Sequence, residues 1–197
     1  MEADLPHSAL LVIDMQIHFE DVAGHLVDRL LPLIALYHEM DLPVIFTQHG
    51  HLPNDRGTLV RRWGPPGKDS ILRFSKSWEL MAALDVVAHR SERLSSKDTY
   101  DAFLHTDLEK RLRDADVTTV VVAGTMTNLC CETTARAAFC RDWNVVMLDD
   151  GCATVDAQSH RASMDNLRFG FAEVCKIGDV ICELSGKRAR SSSVTEV

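Results

Sequence analysis

Three side chains of this 197-residue sequence have the types and positions that covalent hydrolysis requires. Asp14 directly follows an apolar run at residues 9–13, Lys97 lies in a loop, and Cys130 enters a predicted helix after an apolar run at residues 117–123. A thiol in the first turn of a helix feels the positive end of the helix dipole, and a nearby ammonium lowers its pKa further. A carboxylate within reach could take the thiol proton and later return it to a leaving group. The three residues therefore predict a nucleophile, a general base and a cation that stabilises their charges.

Each of these residues also has an ordinary structural role. An aspartate at a strand end is commonly a turn former, a lysine is commonly only solvated, and free cysteines are among the most buried residues. Cys130 has an immediate neighbour, Cys131, and spacing alone does not show which of the two is the nucleophile. The chemistry thus depends on which residues the fold brings together.

The apolar pattern predicts strands that alternate with helices. Strands are predicted at residues 9–13, 44–47, 117–123, 144–148 and 172–176, and helices at residues 26–40, 100–113, 128–141 and 159–169, with Thr127 or Asn128 as the cap of the third. Such units imply right-handed crossovers, and the reactive groups belong at the carboxyl ends of the strands. The sequence therefore predicts a single three-layer α/β domain over residues 1–184. Its sheet is open and mostly parallel, with helices on both faces, and a disordered tail follows at residues 185–197.

The composition excludes several classes of protein. With 21 Lys and Arg against 29 Asp and Glu, the net charge of -8 disfavours a nucleic-acid partner. No apolar run reaches the roughly 18 residues that span a membrane, and the first residues lack the features of a secretion signal. The six cysteines lack the spacing of a disulfide framework, which indicates free thiols. We therefore expect a cytoplasmic protein whose partner is a small molecule.

Three segments, LLVIDMQIHF, SSKDTYDAF and VVVAGTMTNLCCETTARAAF, together resemble the signature of the isochorismatase-like cysteine hydrolase superfamily. In that family an Asp, a Lys and a Cys occur in this order and in these contexts. The resemblance implies that Asp14 is the general base and acid, that Lys97 stabilises charge and that Cys130 is the nucleophile. Cys131 then occupies a neighbouring packing position. The resemblance also implies that this family's members are dimers or larger homo-oligomers.

The segments TQHGH and DDGCATVDAQSHRASMDNLRFGFAEV are similar, more narrowly, to the plant-type nicotinamidase branch. That similarity implies hydrolysis of a small amide through a thioester intermediate. The broader resemblance to the superfamily also implies a non-proline cis peptide before Met126 and an oxyanion hole formed by the N–H groups of Met126 and Cys130. An aromatic amide needs apolar walls, for which Phe19 and Trp63 are the candidates, and Gln16 of the first segment is a further candidate contact.

A divalent metal is a possible but not a required cofactor. Bacterial-type nicotinamidases carry an Asp-x-His pair and a distant His as metal ligands, and here His49 occupies the Asp position while His51 is retained. Two imidazoles make an incomplete ligand set, and no third ligand is evident in the sequence. We therefore expect no required cofactor, with His49 and His51 as the residues that could hold a metal.

Two alternative functions remain open. The first is isochorismatase activity, in which the resemblance implies that the residue at the position of Asp14 protonates the vinyl ether of isochorismate, and pyruvate is released without a cysteine nucleophile. Isochorismate is a dianion, and a site that binds it would need a basic patch. The candidates for that patch are Arg56, Arg61, Arg62 and Arg73. The second is a non-catalytic binding module that keeps the fold. The presence of all three catalytic residue types argues against the second.

Overall fold

The computed structural model describes residues 3–194 of the chain, and side chains as far as residue 186. The strands are β1 (Ser8–Ile13), β2 (Val44–Thr47), β3 (Glu92–Leu94), β4 (Thr119–Thr125), β5 (Asn144–Ala153) and β6 (Glu173–Cys175). The α-helices are α1 (Glu20–Ala23), α2 (Val27–Glu39), α3 (Thr58–Trp63), α4 (Ala82–Val87), α5 (Leu108–Asp114), α6 (Glu132–Phe139), α7 (Ala157–Gly170) and α8 (Ile177–Val194). A π-helix spans Thr127–Cys131, and short 3-10 helices span Leu5–His7, Ile17–Phe19, Gly24–Leu26, Lys76–Trp78 and Ala88–Arg90.

The six strands form one sheet in the order β3-β2-β1-β4-β5-β6, and every neighbouring pair is parallel. The chain runs outward from β1 to β3 on one side, and then crosses back to place β4 beside β1. The sheet therefore changes its winding direction between these two strands. In open parallel sheets, the crevice beyond the carboxyl ends of the strands at this point is the usual position of a ligand site.

Helices cover both faces of the sheet, as the sequence predicts. All six residues of β1 are buried, and alternate residues face opposite cores. One core joins Leu10 and Val12 to side chains of α2, α4 and α8. The other joins Leu11 and Ile13 to side chains of α5, α6 and α7. The predicted three-layer α/β architecture is confirmed.

The strongly periodic elements agree with prediction to within a few residues, but several other parts of the chain differ. The predicted helix at 100–113 begins only at Leu108, because residues 100–107 form turns whose backbone groups make hydrogen bonds outside a helix. The backbone N–H of Ala102, for example, donates to Thr134 Oγ1 at 3.1 Å. The edge strand β3 was not predicted, since two of its three residues are charged and exposed. Residues 49–75, which follow the predicted strand at 44–47 and were assigned to no helix or strand, contain the short helix α3.

The last helix, α8, was also not predicted. Ile177, Val180 and Leu184 are buried at helical spacing, and they hold its first half against the sheet. The helix continues to Val194 and so includes residues 185–194, where the composition predicts a disordered tail. The rest of that predicted tail, residues 195–197, lies outside the described residues. No helix within residues 3–194 combines the length and the apolar character that crossing a membrane requires.

Candidate active site

The three candidate catalytic residues come from chain segments that leave the carboxyl ends of three strands. Asp14 directly follows β1, Lys97 follows the edge strand β3 by three residues, and Cys130 lies in the π-helix after β4. Because these ends lie along the same edge of the sheet, residues distant in sequence converge there. The site is thus built at the point where the winding direction changes.

Lys97 bridges the other two residues. Its Nζ donates to Asp14 Oδ2 at 2.6 Å and lies 3.4 Å from Cys130 Sγ, within hydrogen-bonding distance for sulfur. Asp14 and Lys97 are completely buried, and Cys130 is only 5% exposed. Thr47, at the end of β2, fixes the carboxylate by donating from Oγ1 to Asp14 Oδ1 at 2.5 Å and accepting from its backbone N–H at 3.0 Å. Cys131 is fully buried, and it belongs to the packed core on the α5, α6 and α7 side of the sheet.

Burial and charge set the protonation states of this cluster. Burial raises the pKa of the Asp14 carboxyl, but the Lys97 ammonium and the hydrogen bond from Thr47 outweigh it, so that the pKa lies below its usual value. Burial lowers the pKa of Lys97, and the charge of Asp14 more than restores it, so that the amine stays protonated. Burial raises the pKa of the Cys130 thiol to about 12, despite the neighbouring ammonium. The expectation of a lowered thiol pKa is therefore wrong for the resting site, where Cys130 is a thiol beside a carboxylate.

Gly124 permits the close contact between β1 and β4 that brings Asp14 near Cys130. It pairs with Ile13 in the sheet and has a φ of 117°, and a Cβ built on it would lie 2.1 Å from the Ile13 carbonyl oxygen. No residue with a side chain fits this position without moving the backbone. Asp14 itself has a φ of 48°, a left-handed conformation that Asp tolerates better than most residues. The peptide bond between Thr125 and Met126 is cis, as the resemblance implies.

The turn that carries Cys130 is a π-helix rather than the first turn of an α-helix. The carbonyl of Met126 accepts from the N–H groups of Leu129 and Cys131, at 3.1 and 3.2 Å. The prediction that Thr127 or Asn128 caps a helix is wrong, because the helical turn already begins at Thr127 and its N-cap residue is Met126. The side chains of both residues form hydrogen bonds with other segments of the chain, and spacing along the sequence cannot reveal such partners. Single π-helical turns of this kind recur at functional sites.

Beside this cluster lies a cavity of about 440 Å³. Its lining residues are His18, Phe19, Val22, His49, His51, Leu59, Trp63, Asp69, Ser70, Ile71, Tyr100, Met126, Leu129, Cys130 and Val155. Most of this wall is apolar, and Cys130 is the member of the bridged cluster that reaches it. The predicted aromatic contacts Phe19 and Trp63 both line the cavity, as do Met126 and both predicted imidazoles. The structure therefore places the thiol at the wall of a space large enough for a small aromatic molecule.

The model of the Isochorismatase domain family matches residues 8–179 of the chain. The chain belongs to the isochorismatase family. A plant relative, Nicotinamidase 3 of Arabidopsis thaliana, is 39% identical over 166 residues, which cover 84% of this chain and 82% of that protein. A cysteine hydrolase from Pseudomonas syringae pv. phaseolicola has a TM-score of 0.85 and 26% identity, with coverage of 94% of this chain and 96% of its own. The fold is shared with nicotinamidase from Bacillus subtilis, with a TM-score of 0.76, 23% identity and coverage of 86% and 99%. The protein is thus an isochorismatase-family hydrolase.

Gln16 is not a cavity residue in this isochorismatase-family protein. Its side chain is completely buried, Oε1 accepts from the backbone N–H of His49 at 2.9 Å, and Nε2 donates to the carbonyls of His49 and Trp78 at 3.0 and 2.7 Å. These bonds fix the segment that follows β2 against the first segment of the family signature. The structure therefore gives Gln16 a scaffolding position, and the predicted contact with substrate is not supported.

The four arginines suggested for binding a dianion are also absent from the cavity wall. Arg73 donates to the carbonyls of Gly50 and Ser96, and Arg56 donates to nearby backbone carbonyls. Arg61 likewise donates to the Arg56 carbonyl. The guanidinium of Arg62 lies 5.5 Å from the centre of the Trp63 ring. Among the described residues that line the cavity, none is an arginine or a lysine.

His49 and His51 lie side by side in the cavity wall, with ring centres 4.9 Å apart. Burial lowers the pKa of both, that of His49 to about 3, so that both are neutral imidazoles. His49 Nδ1 has no hydrogen-bond partner among the described residues, and His51 Nδ1 lies 3.6 Å from Asp55 Oδ2. Within residues 3–194, no group of three His, Cys, Asp or Glu side chains is placed to hold a metal ion. The residues present therefore do not fit the three-ligand metal site of the family's bacterial-type members.

Sequence reasoning missed several cavity residues. His18 adjoins Phe19 in the first signature segment, and Tyr100 follows Lys97 by three residues, so proximity to predicted site residues was the available signal. The hydroxyl of Tyr100 accepts from Trp63 Nε1 at 2.7 Å, which links α3 to the segment after Lys97. Leu59 and Val155 carried no such signal, because ordinary apolar residues of loops and short helices reach a cavity only through tertiary structure.

Proposed function

We propose that this isochorismatase-family protein hydrolyses the C–N bond of a small, uncharged aromatic carboxamide, with nicotinamide as the type of substrate. The observation that carries the proposal is the bridge from Lys97 Nζ to Asp14 Oδ2 and Cys130 Sγ, at 2.6 and 3.4 Å, behind an apolar cavity. A buried carboxylate beside a buried thiol can accept the thiol proton, and the ammonium between them balances whichever of the two is negative. The name of the plant relative, a nicotinamidase, supports the choice of amide.

The first half of the reaction forms a thioester. As Cys130 Sγ attacks the amide carbon, Asp14 takes the thiol proton, and Lys97 stabilises the developing thiolate. The carbonyl oxygen becomes an oxyanion, for which the backbone N–H groups of Met126 and Cys130 are the proposed donors. Asp14 then returns its proton to the amide nitrogen, the C–N bond breaks, and ammonia leaves.

The second half returns the enzyme to its starting state. Asp14, again a carboxylate, takes a proton from a water molecule that attacks the thioester carbon. The C–S bond breaks, the carboxylic acid product leaves, and the proton returns to Cys130. Because the thiol pKa of about 12 keeps the sulfur protonated at rest, the nucleophile forms only when Asp14 accepts its proton.

The cavity wall supports an uncharged substrate rather than a dianion. Phe19, Trp63 and Leu129 offer apolar surface for a planar ring, and neutral imidazoles and the Tyr100 hydroxyl offer hydrogen bonds. Isochorismate carries two negative charges, and the described lining contains the carboxylate of Asp69 and no arginine or lysine. The charge balance of the cavity thus favours the amide.

The test is a pair of assays on the purified protein: ammonia release from nicotinamide and pyruvate release from isochorismate. Cys130→Ala is expected to abolish ammonia release, whereas Cys131→Ala, which removes the adjacent buried thiol, is the matched control and is expected to retain turnover. Pyruvate release that persists in Cys130→Ala would instead assign the chemistry to Asp14 and make the protein an isochorismatase. If neither product forms, the non-catalytic binding module becomes the better account.

A further inference from the structure

A second polar chain runs directly behind the turn that carries Cys130. His160, on α7, has Nδ1 3.0 Å from Thr127 Oγ1 and Nε2 3.3 Å from Asp149 Oδ1. Thr127 is the first residue of the π-helix, three positions before Cys130, and Asp149 lies in β5. The proposed reaction uses none of these three side chains, yet they connect the cysteine turn to two other elements.

The partners of the ring assign its tautomer. A carboxylate can only accept, so a ring that carries a single proton has it on Nε2, which donates to Asp149. Nδ1 then carries the lone pair and accepts from the Thr127 hydroxyl. Asp149 therefore fixes the ring orientation, and the ring in turn fixes the Thr127 side chain.

The same helix contacts Thr127 a second time. Ser163, which follows His160 by three residues and so lies on the same side of α7, has Oγ 3.3 Å from the Thr127 carbonyl oxygen and 2.5 Å from Glu132 Oε2. Glu132 is the first residue of α6, immediately after the π-helix. The cysteine turn is thus held near its start and at its end by neighbouring positions of one helix.

The chain of Asp149, His160 and Thr127 has the connectivity of a hydrolase triad, but its hydroxyl cannot attack a substrate. Thr127 is completely buried and does not line the cavity. The thiol of Cys130 is the nearest nucleophilic group of this turn that reaches the cavity. Any effect of the chain on chemistry therefore passes through the position of that thiol.

We propose that His160 is a positioning residue for Cys130, and that its bonds to Asp149 and Thr127 hold the π-helical turn where Sγ meets both the substrate carbon and Lys97. The inference rests on the proposed amide hydrolysis for its kinetic readout. It predicts that loss of the Thr127 hydroxyl bond lowers kcat and leaves KM nearly unchanged, because the aromatic walls that bind substrate belong to other segments.

The experiment uses paired variants of the full chain. Thr127→Val removes the hydroxyl at nearly constant volume, and Thr127→Ser keeps it. His160→Gln places an amide near the position of Nε2 and loses the bond to Thr127, whereas His160→Asn places an amide oxygen near Nδ1 and keeps it. We expect kcat for nicotinamide to fall about tenfold in Thr127→Val and His160→Gln, the effect of about one lost hydrogen bond, with KM changed less than about twofold.

Two comparisons decide the outcome. Thr127→Ser and His160→Asn are expected to recover most of the lost kcat, and the double variant Thr127→Val/His160→Gln is expected to be no slower than either single variant, since both remove one interaction. Losses that multiply in the double variant, losses confined to KM, or an unchanged kcat would each overturn the proposal. Circular dichroism at the assay temperature confirms that each compared variant is folded.

A second readout does not depend on the substrate. Cys130 is nearly inaccessible at rest, so a loosened turn is expected to speed its alkylation by iodoacetamide in Thr127→Val relative to Thr127→Ser, as followed by mass spectrometry of the peptide. Equal alkylation rates in the two variants would contradict the positioning role. If the parent protein releases no ammonia from nicotinamide but the alkylation rates differ, the proposed function fails and the positioning role stands.

Discussion

Replacing Lys97 by Met tests whether the buried ion pair governs both the stability and the charge of the site. Lys97 and Asp14 are completely buried, and their charged atoms are 2.6 Å apart. At an effective dielectric constant of about 20, this separation corresponds to an attraction of roughly 6 kcal/mol. Methionine fills much of the space of the lysine stem but supplies no charge, and so it leaves the carboxylate of Asp14 buried and unpaired. We expect the free energy of unfolding at pH 8 to fall by about 3–5 kcal/mol.

The loss is expected to depend on pH with a definite sign. In the parent protein the pKa of Asp14 lies below its unfolded value, so this carboxyl adds stability above its unfolded pKa and loses that contribution on acidification. In Lys97→Met, burial acts without the ammonium and raises the pKa of Asp14 above its unfolded value. The sign then reverses, because stability is lost as the pH rises through the folded pKa. The deficit relative to the parent is therefore smaller at pH 5 than at pH 8.

Urea unfolding, followed by circular dichroism at pH 5 and pH 8, measures this difference. The control is the double variant Asp14→Asn/Lys97→Met, which removes both charges and is expected to be more stable than Lys97→Met at pH 8. In thermal unfolding, the single variant is expected to melt roughly 6–20 °C below the parent at pH 8. If the deficit of Lys97→Met is the same at both pH values, or if the double variant is no more stable, the electrostatic account of the site is wrong.

Two further substitutions probe the cysteine and the strand contact. Asp14→Asn is expected to abolish amide turnover yet to speed alkylation of Cys130 at pH 8. The carboxylate charge contributes to the raised pKa of the thiol, and without it the Cys130 thiolate balances the charge of the Lys97 ammonium. Slower alkylation than in the parent protein would contradict this. Gly124→Ala is expected to lower the free energy of unfolding by about 3 kcal/mol or more, since its Cβ would lie 2.1 Å from the Ile13 oxygen. Gly170→Ala, whose Cβ meets nothing within 4 Å, is the control for urea unfolding and is expected to be at least as stable as the parent.

The architecture was predictable from the sequence because its central strands are fully buried. Such strands appear as unbroken apolar runs, and β1 and β4 are both of this kind. The edge strand β3 lacks this signal, although it places Lys97. Its position follows from pairing with β2, and short edge strands carry little pattern of their own.

Within the site, residue types were predictable and their states were not. Asp14, Lys97 and Cys130 were identified by type and context, and the structure brings them together. The pKa of Cys130 was predicted in the wrong direction, because the sequence shows the neighbouring lysine but not the extent of burial. His160 was missed since its partners lie 11 and 33 residues away, and only packing joins them. Gln16 was misassigned because its place in the signature segment does not show which way its side chain points.

The meeting of β1 and β4 has a consequence for how this protein matures on the ribosome. The bond from Lys97 to Asp14 closes a loop of 83 residues, and its contact with Cys130 closes another of 33. Such non-local closures form late, after the intervening chain has been ordered. A nascent or truncated chain that lacks β4 contains an ordinary aspartate and an ordinary lysine, and no reactive thiol between them. The three residues can therefore meet only after β4 has paired with β1 and the turn that carries Cys130 has formed.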